Sequence, residues 1–226
     1  MHPLDGAREQ VYGAREHLDL LRPEIKDFTK VVSNRVSLQY QKGVVNIGGK
    51  IREVPIGSLR APSNLPAPPR TARLIGEVVQ NLRVALDFLI YEMACFDSKS
   101  IVEKSQFVIV DSPEEFKGQL WHLRGMSADH IAAIERLQPY KGTNWTKLLR
   151  DLSNPSKHRL LTIVKHPVIV TVHNENTERI LAGEHVDVND YASIKITFDN
   201  GPPVIEGLEQ LISDVAHTLD AFQHEF

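Results

Sequence analysis

The chain has 226 residues, of which 42% are hydrophobic and 24% charged, with a formal net charge of −3. A chain of this length buries roughly 70–75% of its unfolded surface, so it needs neither a metal nor disulfides to hold a core. The acidic balance excludes wholesale coating of a nucleic acid, and no apolar run approaches the ~20 residues that a membrane span needs. The opening "MHPLDGAREQ" lacks an apolar leader segment, and the single cysteine, Cys95, has no partner within the chain. A buried thiol and a reducing cytoplasm are therefore expected.

Residues 4–32 read as a helix. Val11, Ala14, Leu18, Leu21, Ile25, Phe28 and Val32 follow one another at alternating spacings of three and four, the seam of a helix packed lengthwise on another. Pro23 interrupts the pattern and should kink or split it. "RVSLQYQ" alternates apolar and polar residues as a half-exposed strand does, and "VVNIGGKIREV" reads as a hairpin turning at Gly48-Gly49. "APSNLPAPPR" is a stiff connector.

Residues 71–96 give the strongest helix. Ile75, Val78, Val79, Leu82, Ala85, Leu86, Leu89, Ile90 and Met93 share one broad face, with Arg83 at its border and Asp87 one turn on. Val84 and Phe88 break the opposite, polar side, which calls for a second contact there. "QFVIV" (residues 106–110) reads as a short buried strand. Ser127 opens a helix that holds Ile131, Ile134 and Leu137 and stops before Pro139.

Residues 145–152 are helical, and Asn154-Pro155 then signals a fresh start, Asn as N-cap and Pro as first helical residue. From His166 the period becomes two: "PVIVTVH", "RILAG", "HVDV" and "YASIKITF" read as strands. A last helix carries Leu208, Leu211, Ile212, Val215, Leu219 and Phe222. The expected fold is α+β: one domain over 1–226, a four-helix bundle core (about 4–32, 71–96, 127–164 and 204–226) with a small antiparallel sheet. That sheet is formed by insertions after helix 1 and helix 3, at about 35–56 and 166–199.

Charge is unevenly placed. Residues 141–166 hold Lys141, Lys147, Arg150, Lys157, Arg159 and Lys165 against Asp151 alone, a balance of +5, which leaves −8 for the rest. A helix starting at Asn154 would present unpaired backbone N–H groups to a phosphate, with Lys157, His158 and Arg159 in its first turns. Helical projection turns Lys157 toward the core side, where a carboxylate is needed, and Asp87 is the candidate partner. That polar knot is architectural in one reading and a phosphate-facing site in the other. His217 and His224, seven apart, are too few to define a metal site, and no His-Glu-x-x-His or paired-cysteine motif accompanies them. No phosphate-cradling glycine loop or Gly-x-Ser-x-Gly motif is present. No cofactor is expected.

Three stretches, "NLRVALDFLIYEMA" (81–94), "LQPY" (137–140) and "LLRDLSNPSKHRLL" (148–161), resemble a widespread family of bacterial proteins of uncharacterised activity. Its pattern is approximately Asn-Leu-Arg-x-Ala-Leu-Asp-His, then Gln-Pro-Tyr, then Leu-x-x-Leu-x-Asn-x-x-Lys-His-Arg. More distantly, the chain is similar to the HEPN superfamily of helical, usually dimeric proteins. Many of those are metal-independent ribonucleases of toxin–antitoxin and phage-defence systems, in which an Arg and a His four to six residues on act on an RNA phosphate. Five residues after Arg83 this chain has Phe88, which removes that histidine.

The resemblance implies an RNA- or nucleotide-phosphate-binding protein whose site comprises Arg83, Asp87, Asn154, Lys157, His158 and Arg159. If catalysis survives, His158 supplies the acid–base group, Arg83 or Arg159 steadies the phosphorane and Lys157 holds the phosphate. The alternative is a non-enzymatic homodimeric interaction module, with the first helix, Val84 and Phe88 at the subunit contact. Whether the chain is an enzyme is left open by the residues.

Overall fold

The computed structural model describes the backbone of residues 2–35, 37–47, 49–60, 67–156, 168–172, 192–198 and 201–226. It describes the side chains of 2–35, 49, 51, 67–154, 195–198 and 201–226. The elements are α1 (Asp5–Ser33), β1 (Ser37–Ile47), β2 (Lys50–Arg60), α2 (Pro69–Ser98), α3 (Pro113–Gly118), α4 (Ala128–Arg136), α5 (Asn144–Ser156), β3 (Val168–Val172), β4 (Ala192–Ile196) and α6 (Val204–Ala221). The chain divides into two compact units. One comprises Met1–Arg22, Pro69–Thr162 and Ile205–Phe226, the other Pro23–Pro68 and Ile163–Val204.

The expected α+β class is corrected. The structure is mostly helical: helix makes up 73% of the residues whose side chains are described, in six α-helices, and among those residues there is one short strand segment and no sheet. The remaining described strands pair only two by two. β1 lies antiparallel to β2, from Ser37↔Arg60 to Ile47↔Lys50, and β3 antiparallel to β4, from Val168↔Ile196 to Val172↔Ala192. The two ribbons share no neighbouring strand, so the insertions build no common sheet among the described residues. Alternation in sequence reports extended backbone; it does not report how many strands join. The first ribbon closes through a two-residue connection, where Gly49 takes φ +82°, a conformation that costs glycine little. The segments "RILAG" and "HVDV" lie outside the described residues.

The first unit is built on long apolar stripes. Leu4, just before α1, and Ala7, Val11, Ala14, Leu18 and Leu21 on it are buried, at the expected three-and-four spacing. All nine stripe positions of α2, from Ile75 to Met93, are at most 1% exposed. Leu208, Leu211, Ile212, Val215, Leu219 and Phe222 are buried on α6 and just beyond its end. Each Val, Leu, Ile, Met or Phe among them stabilises by roughly 1.5–3 kcal/mol on leaving water. α1 and α2 approach closely at Gly13, where an added Cβ would sit 2.9 Å from the Asn81 Nδ2. An Arg22–Glu209 ion pair at 2.6 Å links α1 to α6, and α2 packs on α5.

In the second unit α1 continues the seam with Ile25, Phe28 and Val32, all buried. Pro23 does not split the helix, contrary to expectation. Its ring deprives only the Asp19 carbonyl of a helical donor, and both residues are exposed, so water replaces the lost bond. Ile196, Thr197 and Phe198 are buried, and Thr197 makes an isolated antiparallel bridge to Pro203.

Candidate functional site

Residues 106–110 bury Phe107, Val108 and Ile109 but form no strand, a second correction. Buried backbone N–H and C=O groups need partners, and here side chains supply them. Arg83 Nη2 donates to the Phe107 carbonyl, and Asp87 Oδ1 accepts the Phe107 N–H at 2.8 Å. Gln138, 0% exposed, donates from Nε2 to the Val108 carbonyl at 2.8 Å and accepts the Val110 N–H on Oε1 at 3.0 Å. Just beyond, Arg150 on α5 meets Asp111 at 2.7 Å. Local chain geometry sets each of these. Arg83 and Asp87 stand one turn apart on α2, and Gln138 follows the end of α4, whose N-terminus is capped by Ser127 accepting the His130 N–H at 3.2 Å.

The three stretches that carry the family resemblance therefore converge on one segment: Arg83 and Asp87 from the first, Gln138 from the second, Arg150 from the third. Burial pushes the Arg83 pKa down, and the neighbouring Asp87 charge opposes that. Arg83 is only 9% exposed and its guanidinium is engaged on a carbonyl. Its geometry suits a clamp on the backbone.

The other sequence-predicted residues fall as follows. Asn154 is exposed and helical. The expected restart at Asn154-Pro155 is corrected, because α5 runs unbroken from Asn144 to Ser156. Ser153 is buried and its Oγ donates to the Arg150 carbonyl at 3.0 Å, as in a helix interior, while the carbonyl that Pro155 leaves without a donor belongs to the exposed Asp151. No helix N-terminus is thus available at Asn154 to receive an anion. Lys157, His158 and Arg159 lie outside the described residues, as does the expected Asp87–Lys157 pair. Within the described part of the basic segment, Lys141 pairs with Glu135 at 3.4 Å, and Arg150 with Asp111 and Asp151. Lys147 is exposed and makes no ion pair among the described residues.

A second polar cluster has no precursor in the sequence reading. Asp97, at the end of α2, accepts the Ser127 N–H at 2.7 Å and lies 2.6 Å from the His130 Nδ1. The two side chains are 12% and 13% exposed. Burial pushes the Asp97 carboxyl up, but the bonds from Ser127 and His130 outweigh it and hold the group below the usual carboxylate range. His130 faces a groove of about 760 Å³ between α4 and α6, whose lining includes Asp129, Arg136, Trp145, Asp214 and His217. Asp97 and His130 are 33 residues apart, so no local spacing could have joined them.

Among the described residues no three His, Cys, Asp or Glu side chains are grouped to hold a metal. α6 ends at Ala221, so His224 sits in the following 3₁₀ turn (Gln223–Glu225) and not on the helix that carries His217. No described helix is long and apolar enough to cross a membrane. No protein-family model, no curated protein and no solved structure matches the chain.

Proposed function

We propose that the protein is a non-enzymatic interaction module that pairs with a second copy of itself through the outer face of α2. The observation that carries this reading is the stripe Val84, Phe88, Tyr91 and Cys95, spaced four, three and four. Phe88 is 38% exposed and the other three are half-buried, so nothing described in the chain covers the stripe fully. That spacing is the seam one helix offers another of the same pattern, and a two-fold pair uses one such patch twice. The engagement of Arg83 with the Phe107 carbonyl supports a non-catalytic role. So does Phe88, which stands where an Arg–His nuclease would carry its histidine.

Light scattering coupled to gel filtration tests the reading. The wild type should run at twice 25.5 kDa. Phe88→Lys should weaken self-association by at least about 30-fold, the loss typical of an interface anchor, while the monomer keeps its helical circular-dichroism signal. A wild type that stays monomeric at tens of micromolar, above the about micromolar Kd of a weak specific pair, would sink it.

A second reading rests on the basic segment: HEPN-like binding of RNA or a nucleotide phosphate by residues 141–166, with the exposed Lys147 and the predicted Lys157, His158 and Arg159. Its balance of +5 against −8 elsewhere favours it. Binding of a labelled single-stranded RNA should fall steeply as salt rises, and Lys147→Glu should lower both affinity and salt slope. No binding at low salt removes this reading. Should cleavage accompany binding, equal rates for wild type and His158→Ala would take His158 out of the chemistry.

A further inference from the structure

Arg8, Arg15 and Arg22 stand seven residues apart on α1, two helical turns each, so they form one row along a single face. α6 and the turn after it run alongside in the opposite direction. Arg8 donates to the Gln223 Oε1 at 2.7 Å, and Arg22 to the Glu209 Oε1 at 2.6 Å. A step of fourteen residues along α1 is thus answered by a step of fourteen back from Gln223 to Glu209. Halfway between, the same register sets Arg15 opposite Ala216, whose methyl group accepts no hydrogen bond. Arg15 is exposed and finds no acceptor among the described residues.

The short side chain of Ala216 also leaves space. Two cavities, of about 450 and 300 Å³, open between α1 and α6, and Arg15, Ala216 and Asp220 line both. Their size is that of small-molecule sites. The apolar floor comes from Val11, Leu18, Ile212 and Leu219, and Tyr12, 56% exposed, stands one turn from Arg15 at the rim. Asp19 and Glu209 line the same groove. Arg8 and Arg22 are engaged by their own acceptors, so Arg15 is one uncompensated cation among carboxylates.

We propose that the groove between α1 and α6 binds a small organic acid with one carboxylate and an apolar body. The carboxylate accepts from Arg15 at the one place where the row has no acceptor, and the body lies over Ala216 and the apolar floor beside Tyr12. A planar carboxylate matches the guanidinium fork. A single negative charge is all that Arg15 can balance. A phosphate dianion or a polyanion would bring its further charges against Asp19, Glu209 and Asp220, where like charges repel. None of Val84, Phe88, Tyr91 and Cys95 lines this groove, so the site is separate from the self-association surface proposed above.

Benzoate serves as the probe. Titrated into the full chain and followed by NMR, it should shift the Ala216 amide and the Arg15 Nε–H along one saturable curve, with a dissociation constant of about 1 mM. Arg15→Gln, at an exposed position, should keep the fold and weaken binding about fivefold, the upper worth of an exposed ion pair. Ala216→Glu supplies the row with its own acceptor opposite Arg15 and should abolish benzoate binding while the helical circular-dichroism signal is kept. Acetate lacks the body, benzamide lacks the charge and inorganic phosphate carries too much of it. Each should bind at least about threefold more weakly than benzoate. No saturable shift by about ten times the expected dissociation constant overturns the proposal. So does benzoate binding undiminished in Arg15→Gln or Ala216→Glu, or binding of acetate, benzamide or phosphate as tight as that of benzoate.

Discussion

Replacing Gln138 by leucine will destabilise the protein by about 3–5 kcal/mol, because two buried backbone groups lose their partners at about 1–3 kcal/mol each. Leucine fills nearly the same space, so no cavity contributes. The Val108 carbonyl and the Val110 N–H are left unpaired among Phe107, Val108 and Ile109, where water cannot readily reach them. The Ile134 carbonyl, which Gln138 also contacts at 3.1 Å, keeps the Leu137 N–H and should not add to the loss. Urea denaturation measures the change. A loss below about 1 kcal/mol, the net worth of one ordinary hydrogen bond, would show that the segment is hydrated and the clamp unimportant.

Asp87→Ala is expected to cost about 3–4 kcal/mol, within the range for breaking a buried charged arrangement. It removes the acceptor of the Phe107 N–H and also the negative charge that supports the buried Arg83. Asp87→Asn separates the two contributions, since its amide oxygen can accept the N–H but carries no charge. The double variant Arg83→Leu with Asp87→Ala should cost less than the two single losses added together, by about 1–2 kcal/mol, because no uncompensated guanidinium then remains. Strict additivity in that cycle would mean that the two side chains act independently.

The helical stripes were legible because burial on a helix has a period. Val11 to Val32 on α1, Ile75 to Met93 on α2 and Leu208 to Phe222 on α6 are buried where the spacing puts them. Partners at long range have no such signature. A run like "QFVIV" satisfies the rule for a buried strand, yet its backbone is held by side chains 20 to 30 residues distant. Asn154-Pro155 carries a valid start signal, but the burial of Ser153, which keeps α5 going, is a tertiary fact. α3 was there to be found: Ser112-Pro113-Glu114-Glu115 is a capping box. Ser112 Oγ accepts the Glu115 N–H at 3.2 Å, and Glu115 reaches back to the Asp111 N–H at 3.0 Å. Arg83 and Asp87 meet on the Phe107 backbone, and the alternating segments expected to share one sheet form two separate ribbons.

An extended segment without a neighbouring strand among the described residues has no template there. Residues 106–110 can lock only after α2 and the α4 end have brought Arg83, Asp87 and Gln138 into place. Such late contacts are expected to form on the native side of the rate-limiting barrier. The loss in Gln138→Leu should then surface as faster unfolding, with the refolding limb of the chevron almost unmoved, so that this stretch lengthens the molecule's lifetime against transient opening.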